Sequence, residues 1–165
     1  MTIGRTEVDI TEDDDNVYLA DWVIPKGKAT KENKFGIKRQ VIVLEMFEIW
    51  QNENPKKKRY NKSVGADVEV KKEIVIEEML SHAYLNYRNV LAFYCIDQAL
   101  KNATKVGGHQ NPKAGNQSKF FKGGYMQKMN ADIPAFPYLE KVSMMVGTTR
   151  KKEKAVYSLT SIKIE

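Results

Sequence analysis

Apolar and polar residues alternate with a period of two in several stretches, the pattern of strands with one buried face. In NVYLADWVI, Asn16 to Ile24, Val17 and Leu19 alternate with Tyr18, Ala20 and Trp22, and Pro25-Lys26-Gly27 closes the run, which predicts a strand and a turn. The segment QVIVLEMFEIW, Gln40 to Trp50, is apolar on both parities at its start and rich in Val, Ile, Phe and Trp. That predicts a central strand covered on both faces. GADVEVKKEIVIEE alternates through Ala66, Val68 and Val70, then slips register at Lys71-Lys72.

Met79 to Leu100 supports two readings. Leu80, Ala83, Tyr84, Tyr87, Val90, Leu91 and Tyr94 follow helical spacing, while NVLAFYCI alone reads as a buried strand. The reading taken is a brief helix or turn over Met79 to Asn86 and a strand over Asn89 to Asp97, with a long helix as the alternative. From Lys101 to Gly124 the chain is rich in Gly, Asn, Lys and Gln, which predicts a long surface excursion, interrupted at most by short strands near Lys119 to Phe121 or Tyr125 to Met129. After Pro134 and Pro137, YLEKVSMMVG and AVYSLTSIKIE form two strand-like segments about the turn GTTRKKEK. Six or seven strands with long loops and little helix predict an all-β fold, an antiparallel two-sheet sandwich or barrel.

Composition narrows this picture. A length of 165 residues suits one domain, and 42% hydrophobic with 29% charged residues is ordinary for a chain that folds around its own core. The organisation expected is an acidic segment over 1–15, flexible or extended, followed by a single domain over 16–165. The amino terminus lacks an apolar core segment, so neither a secretory signal nor membrane insertion is expected. Cys95 is the only cysteine, which excludes an intramolecular disulfide.

Charge is placed unevenly within a formal total of +6. Acids crowd residues 7 to 15, and cations gather around Lys26 to Arg39, in PKKKRYNK (Pro55 to Lys62) and in RKKEK (Arg150 to Lys154). PKKKRYNK sets four consecutive cations beside Tyr60, and SKFFKGGY sets Lys119 and Lys122 around Phe120, Phe121 and Tyr125. Phosphate contact with base stacking is available to such sequences. Lys56, Lys57, Lys58, Arg59, Lys119, Lys122, Arg150, Lys151 and Lys152 are therefore the candidate nucleic-acid contacts, weighed against lysines that only solvate the surface.

Catalytic signatures are missing from the sequence. GxxxxGK[ST], strand-linked GxGxxG and GxSxG do not occur, and His82, His109 and Cys95 cannot form a common Cys/His zinc site. The run Glu12 to Asp15 lacks the spacing of a calcium loop. No catalytic residue, metal ligand or cofactor is assigned, and an enzyme is not expected.

The order of segments resembles the single jelly-roll capsid proteins of small circular Rep-encoding single-stranded DNA viruses. DWVIPKG is similar to the short strand that precedes a loop in these capsids, RQVIVLEMFEIW to the long strand that follows, and YLEKVSMMVGTTRKKEKAVYSLTSIKIE to their closing strand pair. IEEMLSHAYLNYRNVLAFYCIDQA overlays their small helical turn and inward strand. The acidic amino terminus departs from the arginine-rich arm that many of them carry.

The resemblance implies a jelly roll that self-assembles, in many copies, into a small icosahedral shell enclosing nucleic acid. It implies residence in a virion after synthesis in the cytoplasm or nucleus of a host cell. It also implies subunit contacts from Ile133, Pro134, Phe136, Pro137 and Tyr138. The alternative reading is a β-barrel that binds single-stranded nucleic acid.

Overall fold

The computed structural model describes residue 3 and residues 10–111, 124–133, 140–151 and 154–164. Within these, the expected all-β sandwich is not what forms: helices and strands share the chain, and there is no jelly roll. Three short strands, β1 (Ile10–Glu12), β2 (Asn16–Leu19) and β3 (Trp22–Pro25), make an antiparallel meander. The single strand expected over Asn16 to Ile24 is thus a tight hairpin. It turns at Ala20, whose φ of 52° is a left-handed backbone.

Gln40 to Trp50, expected as a central strand, lies inside α1 (Phe35–Glu53). The helix buries Gly36, Arg39, Ile42, Val43, Met46, Phe47 and Trp50, positions that recur every three or four residues along one face. That face was hidden in the sequence for two reasons. Its second member is an arginine, and Ile37, Val41 and Leu44 make the opposite face apolar too. The loop before the helix sets its start: Asn33 Oδ1 accepts from the Phe35 and Thr30 backbone N–H groups, and Thr30 Oγ1 accepts from Asn33 N–H.

After the hairpin β4 (Lys58–Asn61) and β5 (Ala66–Glu69), the register slip at Lys71-Lys72 proves to be a change of element. A helical run begins there, as α2 (Lys72–Ile74), a π-helical turn (Val75–Met79) and α3 (Leu80–Leu85). The strand expected over Asn89 to Asp97 is instead α4 (Tyr87–Tyr94) leading into α5 (Ile96–Asn102). Asn86 caps α4 by accepting from Arg88 N–H. From Val90 to Ile96 every residue is buried, so no polar face marked the helical period.

Four long strands complete the fold: β6 (Thr104–Asn111), β7 (Gly124–Ile133), β8 (Glu140–Lys151) and β9 (Lys154–Ile164). The sheet order is β4-β5-β9-β8-β7-β6, antiparallel except for the β5·β9 pair. The sheet curls until its edges approach, because Lys105 N–H on β6 donates to Ser63 Oγ in the β4–β5 turn. Helices α4 and α5 fill the hollow. Val142, Met144 and Val146 on β8 face the same side as Leu159 and Ile162 on β9, although Leu159 and Ile162 differ in parity. A bulge at Thr160, whose Oγ1 donates to Met145 O, supplies the extra residue.

Two buried side chains join these layers. Arg39 is fully buried, and its guanidinium donates only to backbone carbonyls: Ala83 O at 2.9 Å, Pro25 O and Gly27 O at 2.8 Å, and Tyr84 O at 2.6 Å. It thereby ties α1 to the end of β3 and satisfies carbonyls in the last turn of α3, where the negative end of the helix dipole lies. Asn61, also fully buried, donates from Nδ2 to Leu100 O and Ala103 O, and accepts from Val64 N–H on Oδ1. That side chain closes the curl of the sheet over the end of α5.

Candidate nucleic-acid interface

Strand parity divides the PKKKRYN segment into two roles. On β4, Arg59 and Asn61 point into the hollow of the sheet, and Lys58 and Tyr60 point away from it. Arg59 Nε donates to Asp97 Oδ1 at 2.7 Å, on the first turn of α5. Trp50 Nε1 donates to the same oxygen at 2.9 Å, and Lys101 Nζ lies 3.2 Å from Oδ2. Arg59 is therefore half of a structural ion pair. Lys58 pairs with Asp67 across the hairpin at 3.5 Å on the outer face. Both side chains of that pair are well exposed, so it stabilises little.

The remaining cations of the segment meet a second pair. Lys56 and Lys57, before β4, and Lys71 and Lys72, after β5, line one open cleft of about 240 Å³ together with Glu69, Val70 and Glu73. The ladder brings them together, since Lys58 pairs with Glu69 in register and Val70 N–H donates to Lys57 O at 2.8 Å. Among the described residues none of the four lysines has an ion-pair partner within 4.0 Å. Lys57 adopts φ of 55°, a left-handed conformation that costs a non-glycine residue about 1 kcal/mol and that gathers at functional positions. Tyr60, on the outer face of the adjoining strand, is 59% exposed. An exposed ring on a strand that leads from a lysine-lined cleft can stack on a base while the lysines meet phosphates.

Other candidates fall elsewhere. Arg150 and Lys151 end β8, where Lys151 pairs with Lys154, four strand residues or roughly 13 Å beyond the Glu69–Ser158 pair at the cleft. Lys119, Lys122 and Lys152 lie outside the described residues, as do Pro134, Phe136, Pro137 and Tyr138; Ile133 ends β7. Lys71 and Lys72 were missed as candidates. The slip in alternation at that point was their signal, because it marks the end of β5, which the antiparallel register sets beside the residues that lead into β4.

No protein family, characterised protein or solved structure matches the chain.

Several other ionisable groups serve the fold. Asp13 Oδ1 accepts from the backbone N–H groups of Asp15 and Asn16, and its Oδ2 accepts from Tyr18 OH at 2.7 Å. The Tyr18 bond first, then the two backbone bonds, hold this carboxyl below its ordinary value. The acidic run thus shapes the β1–β2 turn. Lys26 crosses back to Glu12 at 3.0 Å and sits over the Tyr87 ring. Burial pushes the Cys95 thiol far up, and His82 is exposed, so the two do not make a nucleophile and its base. No described helix is long and apolar enough to cross a membrane.

Proposed function

We propose that the chain is a non-enzymatic domain that binds single-stranded nucleic acid through the cleft formed by Lys56, Lys57, Lys71 and Lys72. One observation carries this reading: four lysines from two separate segments, none with an ion-pair partner among the described residues, converge on one cleft at the end of a sheet-edge strand whose outer face exposes Tyr60. Phosphates would occupy the cleft and a base would stack on Tyr60. Glu69 and Glu73 share the cleft, so the site favours a spaced chain of phosphates over one compact anion. The coat-protein expectation depended on a jelly roll. The described residues do not form that fold, and uniform particles in electron micrographs would test the coat-protein expectation directly.

Fluorescence anisotropy with a labelled single-stranded oligonucleotide tests the proposal. Log K should fall with log salt at a slope of about 0.7 per phosphate neutralised, and changing all four lysines to glutamine should flatten that slope by about 2 to 3. Tyr60→Ala should weaken binding by roughly tenfold with the slope intact. Lys57→Gly removes a cation while suiting the left-handed backbone, so it separates binding from folding. An affinity and a slope unchanged by the quadruple variant would discard the cleft as the site.

A further inference from the structure

Eight large hydrophobic side chains are exposed among the described residues, and five of them lie on one pair of helices: Ile37, Val41 and Leu44 on α1, Ile76 in the π-helical turn and Leu85 at the end of α3. The pairs Gln40 Nε2 to Leu80 O and Arg39 Nη2 to Tyr84 O show that the two helical runs are antiparallel. Between them runs an open groove of about 590 Å³, lined on one wall by Leu44, Phe47 and Glu48 and on the other by Lys72, Ile76 and Leu80. Ile37, Val41 and Leu44 follow helical spacing on the ridge beside it. A contiguous apolar patch on an otherwise charged surface marks a docking face.

The charge along α1 points to what docks there. The exposed cations Lys31, Lys34 and Lys38 stand at and before its amino-terminal half, with Glu32 among them, and within the helix the exposed acids, Glu45, Glu48 and Glu53, all stand in the carboxy-terminal half. A second copy of α1 running antiparallel, with Val41 and Leu44 at the crossing, sets Lys38 of each copy opposite Glu45 and Glu48 of the other. Lys34 then faces the last turns of its neighbour. This is the self-complementary arrangement that a two-fold axis requires. An anionic membrane would be repelled by the acidic half, and a parallel pairing would set like charges together.

We propose that the chain forms a two-fold dimer through the outer face of α1, with Ile37, Val41 and Leu44 at its centre and the lysine and glutamate halves crossed at its rim. The proposal is independent of the nucleic-acid reading, since the lysine cleft contributes only Lys72 to the groove.

Sedimentation equilibrium of the full chain, between about 1 and 100 μM, tests it. The parent should be a dimer at the upper end of that range. Val41→Arg should weaken association at least tenfold, because it buries a cation at the crossing. Lys38→Glu should weaken it by about threefold, the scale of an exposed ion pair. The double variant Lys38→Glu with Glu48→Lys should associate more tightly than Lys38→Glu alone, because the exchange restores the pair between positions 38 and 48 across the axis, though residue 38 still faces Glu45. All three substitutions replace exposed side chains, and circular dichroism verifies that the fold is kept. A monomer at 100 μM overturns the proposal. So does a dimer or larger particle indifferent to Val41→Arg, or a double variant no better than Lys38→Glu alone, which would point to a different partner for this face.

Discussion

Arg39→Leu is expected to lower the stability of the protein by about 3 kcal/mol or more, enough to leave a marginal domain largely unfolded. The reason lies in what the guanidinium leaves behind. Four carbonyls, those of Pro25, Gly27, Ala83 and Tyr84, lose their donor at once, and leucine offers none. Each buried orphan costs about 1 to 3 kcal/mol, less where water can enter. Removing the cation works in the opposite direction, since burial disfavours its charge and pulls its pKa down. No carboxylate is stranded by the change, so this relief is real, but it does not outweigh four unpaired oxygens. Arg39→Lys is the informative companion. An ammonium keeps the charge and can reach one or two carbonyls, and a loss of about 2 kcal/mol is expected because three donors on one atom cannot replace a planar fork. Urea denaturation followed by circular dichroism measures both, and a midpoint for Arg39→Leu equal to that of the parent would show that the four bonds carry no net stability.

The same residue explains much of what was hard to read in the sequence. If Arg39 is counted as a core position, Gly36, Arg39, Ile42, Val43, Met46, Phe47 and Trp50 spell out a helix directly. Counted as polar, it breaks the pattern, and the β-branched run that follows imitates a strand. The outer face of α1 compounds the problem. Ile37, Val41 and Leu44 are apolar where a surface helix is ordinarily polar, so both parities and all sides look buried. Burial on every side has the same effect over Val90 to Ile96, where only the spacing of Tyr87, Val90, Leu91 and Tyr94 kept a helical beat.

Strands with a hairpin between them were legible at β8 and β9, because alternation is strong there and GTTRKKEK marks the reversal. The strands β6 and β7 were not. Val106 is the extra residue of a bulge between Lys105 and Gly107, and Gln127 is buried beside Met126, so neither strand presents a simple alternation. For the candidate site, the cation run at Lys56 to Arg59 was visible in composition alone. Its division was not, because parity on β4 turns Arg59 inward and Lys58 outward, while Lys56 and Lys57, before the strand, line the open cleft. Only the sheet register reveals that Lys71 and Lys72 join them.

Asp97 supplies the second large effect and an acid dependence with a defined sign. Its carboxylate holds Trp50, Arg59 and Lys101, and through them it connects α1, the β4 edge and α5. Burial by itself would raise its pKa, but the bonds from Trp50, Arg59 and Lys101 outweigh that, so the carboxyl lies below its ordinary value of 3.8. Above about pH 4 both the folded and unfolded chains carry the charge, and the stabilisation is fully present. As the pH falls below that, the unfolded chain takes up the proton first, and the stabilisation is lost until the folded carboxylate also protonates. Asp97→Asn removes the charge while keeping an oxygen that can accept from both Trp50 Nε1 and Arg59 Nε, yet its amide nitrogen then faces Lys101. A loss of about 1 to 3 kcal/mol is expected at neutral pH, most of it from the charge withdrawn from the Arg59 bond, since Lys101 is half exposed and its pair is screened, and Arg59 is itself a third exposed. The decisive measurement is the gap between parent and variant followed from pH 7 to pH 2.5. Asp13 and the other carboxylates titrate in both proteins and cancel in the difference, so the gap should stay constant down to about pH 4 and then narrow. A gap that is constant across the whole range would mean that the variant acts through packing alone and that the Asp97 charge contributes nothing to the fold.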